Sequence, residues 1–283
     1  MEIIERIEDL RRIVRRIRRE DKIIGLVPTM GALHEGHVSL IRLAASSNDF
    51  TVVSIFVNPT QFGPAEDFER YPRSLDPDLE KCRSTGVDLV FSPTADEMYR
   101  SGFGTYVEVE GLTQMLEGAS RPGHFRGVAT IVLKLFNLVE PHRAYFGLKD
   151  YQQLKVIQKM VRDLSLDIEI VPGPTVREPD GLAMSSRNAY LEPRERQAAA
   201  ALFRALQEAK ARAEAGESDA ESIRKAAEDV LRAEPLADID YVAVVDPETL
   251  QPVGQVRGPA LVALAVRIGS VRLIDSAVIS NEQ

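Results

Sequence analysis

Short apolar runs at 23–27, 51–57, 87–91, 144–146 and 168–171 alternate with helical patterns at 38–45, 77–82, 128–139 and 152–164. This alternation builds βαβ units, in which parallel strands are covered by helices on both faces. Such sheets bind ligands beyond the carboxyl ends of their strands, so chemistry is expected in the segments that follow each strand. Ahead of the first run, Ile3, Ile7, Leu10, Val14 and Ile17 carry the three-and-four spacing of a helix stripe. Arg11, Arg12, Arg15, Arg16, Arg18 and Arg19 lie largely off that stripe. They interleave with Glu2, Glu5, Glu8, Asp9 and Glu20, which reads as a solvated helix face.

The pattern changes near Thr175. A Pro/Gly-punctuated segment leads into an alanine-rich helical stretch at 194–215 and a second at 220–232, followed by strand-like runs at 239–245, 260–266 and 271–278. The expected architecture is therefore α/β with two domains: a catalytic one over 1–175 and a smaller C-terminal α+β domain over 176–283. A length of 283 residues fits that division. Helix propensity alone accounts for the alanines.

The formal net charge of −8 is opposite in sign to the basic footprint of a dedicated nucleic-acid binder. An anionic ligand then needs a local cluster of donors, because the overall field repels it. The single cysteine, Cys82, supports neither an intrachain disulfide nor a thiolate zinc site, and is expected to be inert in a reducing compartment. No apolar signal segment is present, and no run nears the roughly 18 consecutive apolar residues of a membrane span. A cytoplasmic enzyme with neither membrane nor nucleic-acid partner is expected.

The first run leads into Met30, Gly31, Ala32, Leu33, His34, Glu35, Gly36 and His37, just before a helix. Glycines at a helix start let backbone N–H groups approach a phosphate, and the helix dipole favours the anion. The Gly31-to-Gly36 spacing mimics a P-loop, but His37-Val38 stands where Lys-Ser/Thr is required, so a Walker site is rejected. The two histidines are open to three readings. A metal site lacks an evident third ligand, and a structural role at the helix start is the bland alternative. In the third reading, imidazoles held protonated by a triphosphate neutralise or protonate departing pyrophosphate.

The other post-strand segments are polar in complementary ways. After the second run, Asn58-Pro59 marks a turn, and Gln61 offers a donor and an acceptor without charge, suited to a carboxylic acid that must stay free to react. Arg121, His124 and Arg126 precede a helix and form a candidate second anion-facing loop. Gly147, Leu148, Lys149 and Asp150 follow the fourth run; Lys149 can meet phosphate as a point charge, and Asp150 with Gln153 has capping-box spacing. Near Val176, Arg177 to Asn188 contains a Pro-Asp-Gly turn and the cluster Met184, Ser185, Ser186, Arg187. Its hydroxyls and guanidinium suit phosphate oxygens, on a segment able to move and so exclude water.

Taken together and in this order, these segments resemble the pantothenate synthetases, ligases that join pantoate to β-alanine at the expense of ATP. The similarity spans nearly the whole chain. The His34–His37 and Met184–Arg187 signatures are also shared more widely by nucleotidyltransferases. The resemblance implies a Rossmann-like domain, a smaller lid domain, a homodimer, and Mg²⁺ accompanying ATP. It further implies that residues 30–37, 147–150, Val176 and 184–187 line the ATP site. Gln61 would contact pantoate and β-alanine, Gln153 would contact pantoate, and His37 would be the proton donor. His34, Lys149 and Arg187 complete the expected catalytic set. The rival expectation is a nucleotidylyltransferase that moves AMP onto a phosphate acceptor.

Overall fold

The computed structural model describes residues 1–64 and 66–281 and divides into two compact units. One comprises Met1–Leu148 with Gln153–Pro174; the other comprises Lys149–Gln152 with Thr175–Gln283.

The first unit holds β1 (Glu2–Ile4), α1 (Ile7–Arg19), β2 (Ile24–Thr29), α2 (Glu35–Ser47), β3 (Phe50–Ile55), α3 (Leu75–Ser84) and β4 (Leu89–Phe91). Two short helices, α4 (Ala95–Met98) and α5 (Glu117–Ser120), precede α6 (His124–Val139), β5 (Arg143–Gly147), α7 (Tyr151–Asp163, whose first two residues belong to the other unit) and β6 (Glu169–Gly173). The six strands are parallel in the order β1-β4-β3-β2-β5-β6. Val27, Val53, Val90 and Tyr145 pack with Leu40, Ile41 and Ala44 of α2 and Leu79 and Cys82 of α3. The alternate row, Leu26, Val52 and Leu89, is wholly buried. It faces the opposite side because successive strand side chains point to opposite faces. There α6 contacts β2 and α1 packs on α6. Burial on both faces explains why the strands read as continuous apolar runs rather than alternating ones.

The connections set the position of chemistry. From β2 the chain moves through α2 to β3 and on to β4, then returns across β2 to β5 and β6. Adjacent β2 and β5 thus send their connections in opposite directions, which opens a crevice at their carboxyl ends.

One expectation for the amino-terminal stripe needs correction. Ile3 lies on β1, pairs in register with Val90, and is 41% exposed, so it is not part of the helix. Helix α1 begins at Ile7 and buries Leu10, Ile13, Val14 and Ile17. Strand pairing with β4 overrides the helical spacing at the chain start. The α1 arginines face outward, with Arg12 paired to Asp9, Arg16 to Glu2 and Arg18 to Glu140.

The second unit packs α8 (Pro193–Ala199), α9 (Ala201–Glu214) and α10 (Ala220–Arg232) on an antiparallel sheet of β7 (Ala237–Val245), β8 (Ala260–Ile268) and β9 (Val271–Ile279). The expected helix at 194–215 is two helices that meet at Ala200. The alanines do more than favour helix: Ala201, Ala205, Ala209 and Ala213 recur every four residues and are fully buried in the core. A stripe of methyl groups lets α9 approach the sheet closely.

Candidate active site

The exit from β2 is shaped by backbone and by α3. Gly31 takes φ +83° and Ala32 takes φ +49°, successive left-handed residues that reverse the chain. Ala32 is an uncommon non-glycine in that region. It is held there because its N–H donates to Asp78 Oδ2 at 2.8 Å, while the Leu33 N–H donates to Asp78 Oδ1 at 2.7 Å. One turn further along α3, Lys81 Nζ donates to the Leu33 carbonyl. Helix α3 therefore clamps this loop with an anion and a cation. Burial pushes the Asp78 carboxyl above the usual carboxylate range, and the N–H groups of Leu33 and Ala32 with Lys81 offset this only in part.

His34 then caps α2. Its Nδ1 accepts from the Gly36 N–H at 3.2 Å, and His37 Nδ1 accepts from the His34 N–H at 3.3 Å. The rings lie 4.1 Å apart between centroids. A backbone N–H can only donate, so each Nδ1 is an unprotonated acceptor and each ring carries its proton on Nε2. In this geometry each ring presents Nε2–H as a donor. The added Cβ of any residue at Gly36 would stand 2.9 Å from the His34 ring, which accounts for glycine between the histidines. Among the described residues no group of three His, Cys, Asp or Glu side chains is placed to hold a metal.

After β3, Asn58 turns the chain into a single 3₁₀ turn, Pro59–Gln61. Asn58 is buried, and every polar atom of its amide is used. Its Oδ1 accepts from Tyr99 OH at 2.7 Å and Thr60 Oγ1 at 2.9 Å; its Nδ2 donates to Gln61 Oε1 at 3.1 Å and the Gly127 carbonyl at 3.2 Å. Gln61 is thereby oriented. Its oxygen is engaged by Asn58, and its Nε2 points at Met30 Sδ, 2.8 Å away. A thioether is a weak acceptor, so the donor end of Gln61 is ready for a better one. The sulfur also brings the loop after β2 against the turn after β3.

The segment at 121–127 is not the anion-facing loop expected. Arg121 is paired to Glu66 at 2.5 and 2.9 Å, so its charge is already matched. His124 bridges Arg121 and the Gln61 carbonyl. Burial, reinforced by the Arg121 charge, pulls His124 down to about 4, so it is neutral near neutral pH. Arg126 lies over the Tyr106 ring with its guanidinium carbon 4.0 Å from the centroid.

The remaining candidates belong to the second unit, apart from Gly147 and Leu148 at the end of β5 and Gln153 on α7. Lys149 Nζ lies 3.3 Å from Asp150 Oδ1. Val176 and Met184 are joined by a backbone bond from the Met184 N–H at 3.0 Å. Ser185 Oγ accepts from the Arg187 N–H at 3.3 Å and starts the 3₁₀ turn Ser186–Tyr190. The Pro-Asp-Gly segment, expected to move, is fastened within its unit. Arg177 grips buried Asp275 at 2.6 and 3.0 Å and donates to the Gly181 carbonyl, while Asp180 pairs with Arg196 at 2.6 and 3.1 Å. Gly181 has φ +91°, and a Cβ there would meet the Phe203 ring at 1.9 Å.

Asp78, Lys81 and Tyr99 escaped the sequence reading. Asp78 sits in an ordinary amphipathic helix, and only the folded α2–α3 packing reveals its partners. Tyr99 follows an unremarked four-residue helix. Gly127 was visible as a glycine at a helix start, but its reason is a close approach: a Cβ would lie 2.3 Å from the Thr60 carbonyl oxygen.

Comparison with known proteins bears on the whole chain. Residues 2–278 match the family model described as pantoate-beta-alanine ligase. A pantothenate synthetase of Acetivibrio thermocellus is 57% identical over 279 residues, covering 99% of both chains. One from Moorella thermoacetica is 56% identical at the same coverage. The crystal structure of pantothenate synthetase from Thermus thermophilus superposes with a TM-score of 0.94 at 50% identity, covering 98% of this chain and 99% of that one. A Francisella tularensis pantoate-beta-alanine ligase, complexed with beta-gamma ATP and beta-alanine, gives 0.82 at 36% identity, covering 98% and 97%.

Proposed function

The chain belongs to the pantoate–β-alanine ligase family, and from that premise we propose how its residues divide the work. The enzyme condenses pantoate with β-alanine at the expense of ATP. Transfer of AMP to a phosphate acceptor is not favoured, since full-length relatives are named for the ligase reaction.

In the proposed sequence, a pantoate carboxylate oxygen attacks the α-phosphorus of ATP as the bond to pyrophosphate breaks. The amine of β-alanine then attacks the acyl carbon of pantoyl adenylate, the amide bond forms, and AMP leaves. The observation that carries the assignment is the pair of Nδ1 atoms satisfied by backbone N–H groups. It fixes both imidazoles as Nε2–H donors at a helix N-terminus, where an anion is favoured. His34 and His37 would donate Nε2–H hydrogen bonds to phosphate oxygens and so offset charge on departing pyrophosphate. To act as proton donor His37 would first take a second proton, as a bound triphosphate favours, and would return to the neutral ring on giving one up. The residues from Met30 to His37, from Gly147 to Asp150, Val176, and Met184 to Arg187 are assigned to ATP. Lys149 and Arg187 serve there as cations. Gln61 and Gln153 are assigned to the acid substrates; the Gln61 donor toward Met30 is the end that an oxygen of pantoate or β-alanine would take.

Mg²⁺ is proposed as the companion of the ATP phosphates. Mg²⁺ keeps much of its water shell and needs few protein ligands beside phosphate, which suits described residues lacking a protein cage for a metal. When bound, it would offset charge on pyrophosphate. A cytoplasmic homodimer is part of the same reading; the compartment rests on the lone, buried Cys82, whose thiol burial pushes up to about 11. No helix among the described residues is long and apolar enough to cross a membrane.

Product identification tests this function. Incubation with ATP, Mg²⁺, pantoate and β-alanine should give pantothenate, AMP and pyrophosphate in equal amounts. A dinucleotide product instead would overturn it.

A further inference from the structure

Gln61 cannot choose its own orientation, because a one-turn 3₁₀ segment has little stiffness of its own. What holds it is the first turn of α6. From below, Gly127 brings the helix backbone so close that a Cβ would stand 2.7 Å from Gln61 Cα. From the side, the Gly127 carbonyl accepts from Asn58, the residue that fixes the Gln61 side chain. The third hold is His124, whose Nδ1 lies 2.8 Å from the Gln61 carbonyl oxygen.

The protonation of that histidine follows from its partners. A carbonyl oxygen can only accept, so Nδ1 carries the proton; a guanidinium can only donate, so Nε2 accepts from Arg121 Nη1 at 3.2 Å. Arg121 is in turn locked by Glu66, and its Nη2 also reaches the Gln61 carbonyl at 3.4 Å. Burial alone would raise the Glu66 carboxyl, but the hydrogen bond and charge of Arg121 hold it below its ordinary value. Arg121 thus donates both to Glu66 and to His124, and His124 donates on to Gln61, a chain that joins the segment just after Gln61 to the start of α6.

We propose that His124 is a positioning residue for the carboxylic acid substrates: through its Nδ1–H it fixes the backbone of Gln61, and so aims the Gln61 donor, without touching substrate itself. This rests on the assignment of Gln61 to pantoate and β-alanine. The consequence is a division between the two ring nitrogens. The Nδ1 bond sets the affinity for the acids, while the Nε2 bond anchors Arg121.

Two near-isosteric variants separate the nitrogens in the intact enzyme. In His124→Asn the amide reaches the place of Nδ1 and can still donate to Gln61. In His124→Gln the amide reaches the place of Nε2 and leaves the Gln61 carbonyl without that donor. His124→Gln should raise KM for pantoate roughly tenfold, the size expected for one lost bond to a buried acceptor, with KM for ATP changed less than about twofold. His124→Asn should keep pantoate KM near wild type. Thermal unfolding measured on both shows whether each is folded. Equal pantoate KM in the two variants, or a parallel rise in pantoate and ATP KM for either, would overturn the proposal. Failure of His124→Asn to fold would do so too, since the retained donor is held to suffice. Gln61→Ala run in parallel tells the failures apart. If it leaves pantoate KM unchanged, the assignment of Gln61 is wrong; if it raises KM while His124→Gln does not, only the role of His124 is wrong.

Discussion

The loop after β2 and the turn after β3 lie side by side at one end of the same sheet, joined by the contact of Gln61 with Met30, yet they are held very differently. The histidine loop is stitched partly to itself, by bonds from His34 to His37 and from Gly36 to His34, and is clamped by α3, the next helix along the chain. The glutamine turn has local bonds too, from Asn58 to Gln61 and from Thr60 to Asn58, but it also draws on Glu66, Tyr99, Arg121, His124 and Gly127, residues far along the chain. Self-supporting loops keep their shape when distant residues change. A turn supported from afar can be retuned from afar, so its substrate affinity should be the more sensitive to substitutions outside the site.

The largest expected break is Gly127→Ala. The new methyl group would press on the Thr60 carbonyl at 2.3 Å, a backbone atom that cannot swing away. Overpacking of this kind costs about 1–3 kcal/mol, which urea unfolding would register, and pantoate KM should rise well beyond ATP KM. Equal rises would show that the two segments move as one.

Asp78→Asn makes the complementary break. Each carboxylate oxygen now takes one backbone N–H, from Ala32 and Leu33. An amide must turn its own NH₂ toward one of them, a loss of about 1–3 kcal/mol. Steady-state kinetics should show ATP KM raised roughly tenfold or more with pantoate KM little altered. The reverse pattern would sink the assignment of the two segments to two substrates.

Protonation gives a finer probe of the glutamine turn. His124 has a folded pKa of about 4 against an ordinary 6.5, so the unfolded chain binds the proton more readily. Its contribution to stability is complete above pH 6.5 and is lost as pH falls toward 4, roughly 3 kcal/mol in all. Unfolding free energies measured across that window should fall with pH in the wild type and flatten in His124→Asn. An unchanged slope in the variant would assign the acid sensitivity elsewhere.

The pattern of legible and illegible residues follows the same contrast. The parallel sheet could be read because buried strands leave unbroken apolar runs, and the histidine loop because its glycines and imidazoles are contiguous. The strand at Glu2–Ile4 was hidden, since three residues carry no period and its pairing partner lies at Leu89–Phe91. Asp78 and Tyr99 were hidden because their bonds span 46 and 41 residues. Arg121 stood as part of a candidate anion-facing loop because a sequence cannot show that Glu66 already neutralises it. The alanines of α9 were legible as helix but not as a packing stripe.

The smallest effect is expected from Arg126→Ala, which removes an exposed stacking contact with Tyr106. About 0.5–1 kcal/mol of stability is at stake, with both KM values unchanged. A selective rise in ATP KM would restore an anion-binding role to that helix start.

The central claim, that the histidine loop holds ATP for attack by pantoate, is tested most directly by exchange of labelled pyrophosphate into ATP without β-alanine. The account predicts exchange that requires pantoate and is abolished in a folded His37→Ala variant. No exchange from an enzyme that still makes pantothenate, or full exchange in that variant, would contradict it.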